Sequence, residues 1–110
     1  MKLSDLGQLA ARAQEIQSRL AEIQQELAGR RVEGSAGGGM VTAVASGGLR
    51  ILEVRIEPSL LEAGDRQMIE DLTAAAVNAA LESAQRMVQE ELQRASAGLA
   101  LQGPDASEPS

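Results

Sequence analysis

Three consecutive glycines, Gly37-Gly38-Gly39, form the first arrangement in this chain whose residue type could do chemistry, because bare backbone can cradle a phosphate. No Gly-Lys-Ser/Thr follows them, and alternating apolar residues rather than a helix come next, so no helix N-terminus is offered to an anion. A flexible turn is the stronger reading. Two pairs of adjacent carboxylates, Glu70-Asp71 and Glu90-Glu91, could suggest acid–base work or metal binding. Adjacent residues on a helix diverge by about 100° and cannot share a proton or an ion. Glu82 and Glu90 stand four residues before Arg86 and Arg94, so a solvated, ion-paired helix face is expected there. Asn78 lies among Ala75, Ala76, Ala79 and Ala80. It reads as a buried amide bonded to backbone where a helix meets a sheet or a second subunit. The chain has no His and no Cys, which removes the commonest general base, the commonest metal ligands and all thiol chemistry. The expectation is a protein without enzymatic activity, cofactor, metal or small-molecule substrate.

Charge is the remaining chemical resource, and it is uneven. The formal net charge is −6, which opposes a broad electrostatic grip on nucleic acid. Through Arg31, however, the cations Lys2, Arg12, Arg19, Arg30 and Arg31 face only Asp5, Glu15, Glu22 and Glu26. All the acid excess lies beyond. Arg12 and Arg19 are one heptad apart on the same helix edge. Glu15–Arg19 and Glu26–Arg30 also have the spacing of intrahelical pairs, and edge residues of this kind normally pair across a coiled coil. By residue physics alone that reading leads over phosphate contact. The absence of Phe, Tyr and Trp leaves no stacking platform for unpaired bases.

The element that must position these cations is the clearest signal in the chain. Leu6, Leu9, Ala13, Ile16, Leu20, Ile23 and Leu27 are separated alternately by three and four residues, an unbroken a/d stripe. A lone globular helix shows a broader apolar face; a strict 3.5-residue repeat asks for a partner helix along its length. A helix from residue 4 to 28, with Ser4 as N-cap and Gly29 as its C-terminal stop, would be roughly 37 Å long at 1.5 Å per residue. A compact 110-residue chain has a radius of gyration of only about 13 Å. The helix overruns its own domain, so a homodimer is expected, with Leu6, Leu9, Ile16, Leu20, Ile23 and Leu27 in the seam.

Residues 30–58 read as β. A short strand around residues 31–33 and a mobile segment at 34–39 are expected to precede two alternating runs, Val41/Ala43/Ala45 and Leu52/Val54/Ile56. Gly47-Gly48 makes the hairpin turn between those runs. Pro58 ends the last strand, and Ser59-x-x-Glu62 has capping-box spacing for a short helical turn. A second long helix is expected from Asp65, its N-cap, to about Ser96. Its Leu72, Ala75, Ala76, Ala79 and Ala80 suit close packing on the sheet, and Val77, Leu81, Ala84, Val88 and Leu92 continue an apolar stripe. The fold class is α+β, a single α-β-β-β-α domain over residues 1–97 with a three-stranded antiparallel sheet and two long helices. Residues 98–110, with Gly103-Pro104 and Glu108-Pro109, read as a disordered tail. The N-terminus has no continuous apolar h-region and no segment has about eighteen apolar residues, so neither secretion nor a membrane span is expected.

The chain resembles the YbaB/EbfC family of bacterial nucleoid-associated proteins. The resemblance is carried by the Gln-rich helix AARAQEIQSRLAEIQQEL, by Gly37-Gly38-Gly39-Met40-Val41 and Gly47, and by Val54-x-Ile56-x-Pro58. It is densest at Pro58-Ser59-Leu60-Leu61-Glu62, Asp65, Asp71-Leu72 and Ala75-Ala76-x-Asn78-x-Ala80. It spans residues from about 5 to 100 and departs from the family in lacking a Met- and Lys-rich opening. What the resemblance implies is a cytoplasmic, nucleoid-located dimer whose long helices project like tweezers. It further implies binding of double-stranded DNA with little sequence preference, altering its conformation and affecting gene expression. With that implication, Lys2, Arg12, Arg19, Arg30 and Arg31 are the residues expected to contact the DNA backbone. A helical protein-interaction module with no direct DNA role is the alternative that the acid excess suits.

Overall fold

The computed structural model describes residues 2–101, with side chains through Gly98. Helix α1 (Leu3–Ala28) is followed by strands β1 (Arg31–Ala36), β2 (Val41–Ser46) and β3 (Ile51–Ile56), the short helix α2 (Pro58–Ala63) and the long helix α3 (Arg66–Leu101). The strands form one antiparallel sheet in the order β1-β2-β3. The α+β class and the α-β-β-β-α order expected from the sequence are therefore what the chain adopts. The molecule is elongated, with a radius of gyration of 21.5 Å and extents of 74 × 28 × 16 Å.

Helix α1 is capped at Lys2, two residues earlier than its polar signal at Ser4 suggests. Ser4 lies inside the first turn, and the capping is done by Asp5, whose carboxylate accepts the Lys2 backbone N–H at 3.4 Å. An acid in the first turn also suits the positive end of the helix dipole. At the other end Gly29 does terminate the helix, but at φ −88 rather than in the left-handed region. The chain then turns directly into β1.

The largest departure from expectation is β1, which runs through Gly34, Ser35 and Ala36 instead of stopping at residue 33. Gly34 is a packing residue, not a mobile one. A Cβ there would overlap the Ala79–Ala80 backbone, so α3 crosses the sheet at nearly backbone distance. The hairpin turn is left to residues 37–39, all with positive φ (65, 68 and 93), a conformation cheap only for glycine. Val41, Ala43 and Ala45 on β2 meet Ala76, Ala80 and Ala84, one turn apart on α3, and all six are fully buried. On β3, Val54 and Ile56 share that face through their partners Ala43 and Val41, but Leu52 drops out of the alternation. A register irregularity opposite Val44/Ala45 leaves Leu52 unpaired and exposed.

Helix α2 starts at Pro58, with Glu57 as its cap, so Ser59 is inside the helix and the expected capping box does not form. Asp65 does cap α3, its carboxylate accepting the Met68 N–H at 3.0 Å. Helix α3 continues past Ser96 to Leu101 and takes in the first residues assigned to the tail; residues 102–110 lie outside the described residues. Asn78 is exposed and makes no side-chain hydrogen bond among the described residues, contrary to its expected burial. The buried rows of α3 run through Ala76, Ala80 and Ala84, and Ala75 and Asn78 fall on the side away from the sheet.

Because Gly34 fits only without a Cβ, Gly34→Val must push α3 off the sheet or break β1. Overpacking of this kind costs about 1–3 kcal/mol or more. Urea unfolding should show the loss, whereas Gly38→Ala, where a Cβ meets open space but φ is 68, should cost less.

Candidate nucleic-acid interface

The cations predicted to meet phosphate do not share one environment. Lys2, Arg12 and Arg19 are exposed on α1, and no ion pair among the described residues involves them. The expected intrahelical pair Glu15–Arg19 does not form. Arg12 and Arg19 are separated by about 10 Å along the helix at 1.5 Å per residue, close to three base-pair rises of 3.4 Å. They are available to an anion.

Arg30 and Arg31 are not. Arg30 pairs with Glu91 on α3 at 3.5 Å instead of with Glu26, and Glu91 also holds Arg94 at 2.6 Å. Glu90, the expected partner of Arg94, and Glu82, the expected partner of Arg86, are unused; Arg86 instead donates to the Ser83 hydroxyl at 3.5 Å. Arg31 pairs with Glu53 at 3.4 Å, and Arg55 bridges Glu53 at 3.9 Å and Glu33 at 2.8 Å. Arg31–Glu53 and Arg55–Glu33 run from β1 to β3 across the outer face of the sheet, and Arg55–Glu53 lies within β3. Val44, which faces outward from β2 between Glu33 and Glu53, is only 3% exposed beneath them.

The root of α1 is fixed by contacts that come from distant parts of the chain. Gly47, in the turn between β2 and β3, donates its N–H to the Arg30 carbonyl at 3.0 Å and lies so close to the Leu27 carbonyl that a Cβ would overlap it. Beyond that root the apolar stripe emerges from cover. Leu27 is buried, Leu20 and Ile23 are half-buried, and Leu6, Leu9 and Ile16 are exposed, with Leu9 at 54%. Ile23 and Leu27 line an open cleft with Glu26, Arg30, Glu91 and Arg94. Helix α3 packs on β1 and β2 and scarcely reaches β3, so Val54 also stays exposed on the inner face.

Two further exposed cations, Arg50 and Arg86, have no carboxylate partner among the described residues. Both lie in the acidic remainder of the sequence, which hides them from charge counting. The only signal for Arg50 is its position just after the Gly47-Gly48 turn. No group of three or more His, Cys, Asp or Glu among the described residues could hold a metal ion. No helix among them is long and apolar enough to cross a membrane.

The profile of the YbaB/EbfC DNA-binding family matches residues 1–99. The chain is 36% identical over 99 residues to a nucleoid-associated protein of Thermoanaerobacter pseudethanolicus, covering 90% of this chain and 89% of that one. It is 41% identical to a nucleoid-associated protein of Acetivibrio thermocellus and 42% to one of Legionella pneumophila, each over 95 residues, covering 86% of this chain and 84% of the relative. Among solved structures, an uncharacterized protein from Helicobacter pylori has the same fold. Its TM-score is 0.59 at 21% identity, with 94% of this chain and 99% of that one covered.

Glu91 is the one carboxylate shared by Arg30 and Arg94, yet both arginines are more than half exposed. Exposed pairs are worth little, so Glu91→Gln should lower stability by less than about 1 kcal/mol in low salt and by still less in high salt. Urea unfolding at two ionic strengths checks this. A loss of several kcal/mol would instead make the cluster a structural clamp on α1.

Proposed function

The chain belongs to the YbaB/EbfC DNA-binding family, and from that premise we propose that it is a nucleoid-associated protein that binds duplex DNA with little sequence preference. The family match over residues 1–99 carries this reading. Contact runs through the backbone phosphates and is made by Lys2 at the cap of α1 and by Arg12 and Arg19 on it, exposed cations with no ion pair among the described residues. Arg30 and Arg31 join only by exchanging Glu91 and Glu53 for phosphate. Several dimers along a duplex would alter its path and so affect expression, in the cytoplasmic nucleoid.

The binding unit in this reading is a homodimer. The α1 stripe and the β3 side of the sheet leave Leu6, Leu9, Ile16 and Val54 in water, and a second copy would cover both. Two copies also double the cations of α1. Each dimer then neutralises only a few phosphates, so the dependence of log affinity on log salt should be shallow, on the order of −2 to −5. A helical module that holds another protein is the second reading, and the same exposed stripe together with the net charge of −6 favours it.

Two measurements decide between them. Native protein should retard random-sequence duplex in low salt and release it as salt rises, with no preference for single strands, since no aromatic residue can stack on bases. Changing Arg12 and Arg19 together to Glu should abolish retardation while helicity and sedimentation stay native. Native binding by that variant would hand the lead to the protein-partner reading. For the dimer, native chain at micromolar concentration should sediment as a pair, and Leu9→Asp should return it to monomer. Leu9 is exposed within one subunit, so a simple folding defect cannot explain that shift. A stable native monomer would end the dimer proposal.

A further inference from the structure

Leu49 is the only non-glycine residue with positive φ among the described residues, at 61. It sits in the β2–β3 turn beside Gly47 and Gly48, neither of which has positive φ. The turn thus holds two glycines and still places a branched side chain where glycine would be unstrained. Burial does not compensate, because Leu49 is 47% exposed. The next residue, Arg50, is exposed and has no carboxylate partner among the described residues.

The turn that presents this pair is rigidly held. Leu49 donates its N–H to the Ser46 carbonyl and Ser46 donates its own to the Arg50 carbonyl, both at 2.9 Å, while Gly47 donates to Arg30 and seats against Leu27. The same pairing brings Arg30 and Arg31 to this end of the sheet, Arg31 being opposite Ser46. Their charges are balanced by Glu91 and Glu53; that of Arg50 is not. The result is a firm prong at the root of α1, tipped by one apolar and one cationic side chain.

We propose that this turn is a second DNA contact, separate from the α1 edge. Arg50 engages a backbone phosphate, and Leu49 lies against the sugar and base edges of the adjoining minor groove. Guanidinium suits phosphate oxygens, and apolar side chains of this size are used as wedges at minor-groove steps. The inference rests on the DNA-binding reading above. It adds a contact on the sheet, so that one subunit touches the duplex at two places and can hold it bent.

The test uses Arg50→Gln and Leu49→Gly in the full chain, with fluorescence anisotropy on random-sequence duplex across a salt series. Arg50→Gln should weaken binding several-fold and make the salt slope shallower by about one for each Arg50 of the dimer that meets the duplex, the signature of phosphates no longer neutralised. Leu49→Gly should melt at the native temperature or above it, because glycine relieves the left-handed strain. It should nevertheless bind several-fold more weakly with an unchanged slope, since an apolar contact releases no counterions. Two variants that bind as tightly as native protein, with the native slope, overturn the inference while leaving the family function standing. Variants that change the sedimenting species instead of the affinity assign the turn to a protein contact and overturn it as well. A native protein that fails to retard duplex in low salt overturns the DNA-binding reading and this inference together.

Discussion

Everything else in this structure depends on how closely α3 can approach the sheet. With no aromatic residue available, the largest fully buried side chain is Val41, and most of the core is alanine. Small side chains fill a core only if the backbones come close, and Gly34 opposite Ala79–Ala80 permits that. Dispersion and burial per residue are modest in such a core, so contact area must come from length. Helix α3 supplies it, running the breadth of the sheet and beyond. The cost is coverage: one thin helix shields two strands and leaves Val54 on the inner face of β3 exposed. A fold built this way leaves apolar surface uncovered for the same reason that it is closely packed.

The same economy governs α1. Its root is tied down by a carbonyl contact with the Gly47 turn, a buried Leu27 and the Arg30–Glu91 pair, and beyond the half-buried Leu20 and Ile23 its apolar side chains are exposed among the described residues. An isolated helix of this length is marginal in water, and most helical stability in proteins comes from packing an apolar face. The stripe from Leu6 to Ile16 supplies the face without the packing. The cations follow the same division. Arg30, Arg31 and Arg55 at the sheet are drawn into pairs with acids from other strands or from α3, whereas Arg12 and Arg19 on the projecting part of α1 have no ion pair among the described residues. The proposed DNA contacts and the uncovered apolar stripe therefore lie on the same part of the molecule.

What can be read from the sequence follows from rules that act locally. The heptad stripe, the alternation of Val41, Ala43 and Ala45, and the Asp65 cap each depend on residues within a turn or two of one another. What is not legible depends on partners far away in the chain. Gly34 resembles a flexible spacer because the helix that needs its missing Cβ begins more than thirty residues later. Arg30 looks free to meet phosphate, or to pair with Glu26, because Glu91 is not a neighbour until the chain has folded. Asn78 misleads for a related reason: alanines surround it in sequence, but four-residue steps through Ala76, Ala80 and Ala84 decide which side of α3 is covered. Ser59 has the right spacing for a cap, yet Pro58 with its fixed φ takes the first helical position and moves the cap to Glu57.

Net charge is a poor guide to function here, and the structure explains why. A chain at −6 should be repelled by DNA if its charge were smeared over the surface. It is not smeared. Screening limits each charge to a Debye length of about 8–10 Å at ordinary ionic strength, and this molecule is 74 Å long. Acids on the sheet and on α2 are thus electrically remote from the exposed end of α1. A phosphate there meets Lys2, Arg12 and Arg19 with Asp5, Glu15 and Glu22, nearly balanced, and the outcome turns on which of these side chains the helix points toward the duplex. Arg12 and Arg19 recur at seven residues and so share an edge, and Glu15 and Glu22 lie three or four residues from them on the adjoining edge without pairing to them. A side chain as long as arginine can turn to a phosphate away from an acid one turn off, and elongation keeps the charge of the sheet and α2 from cancelling that contact.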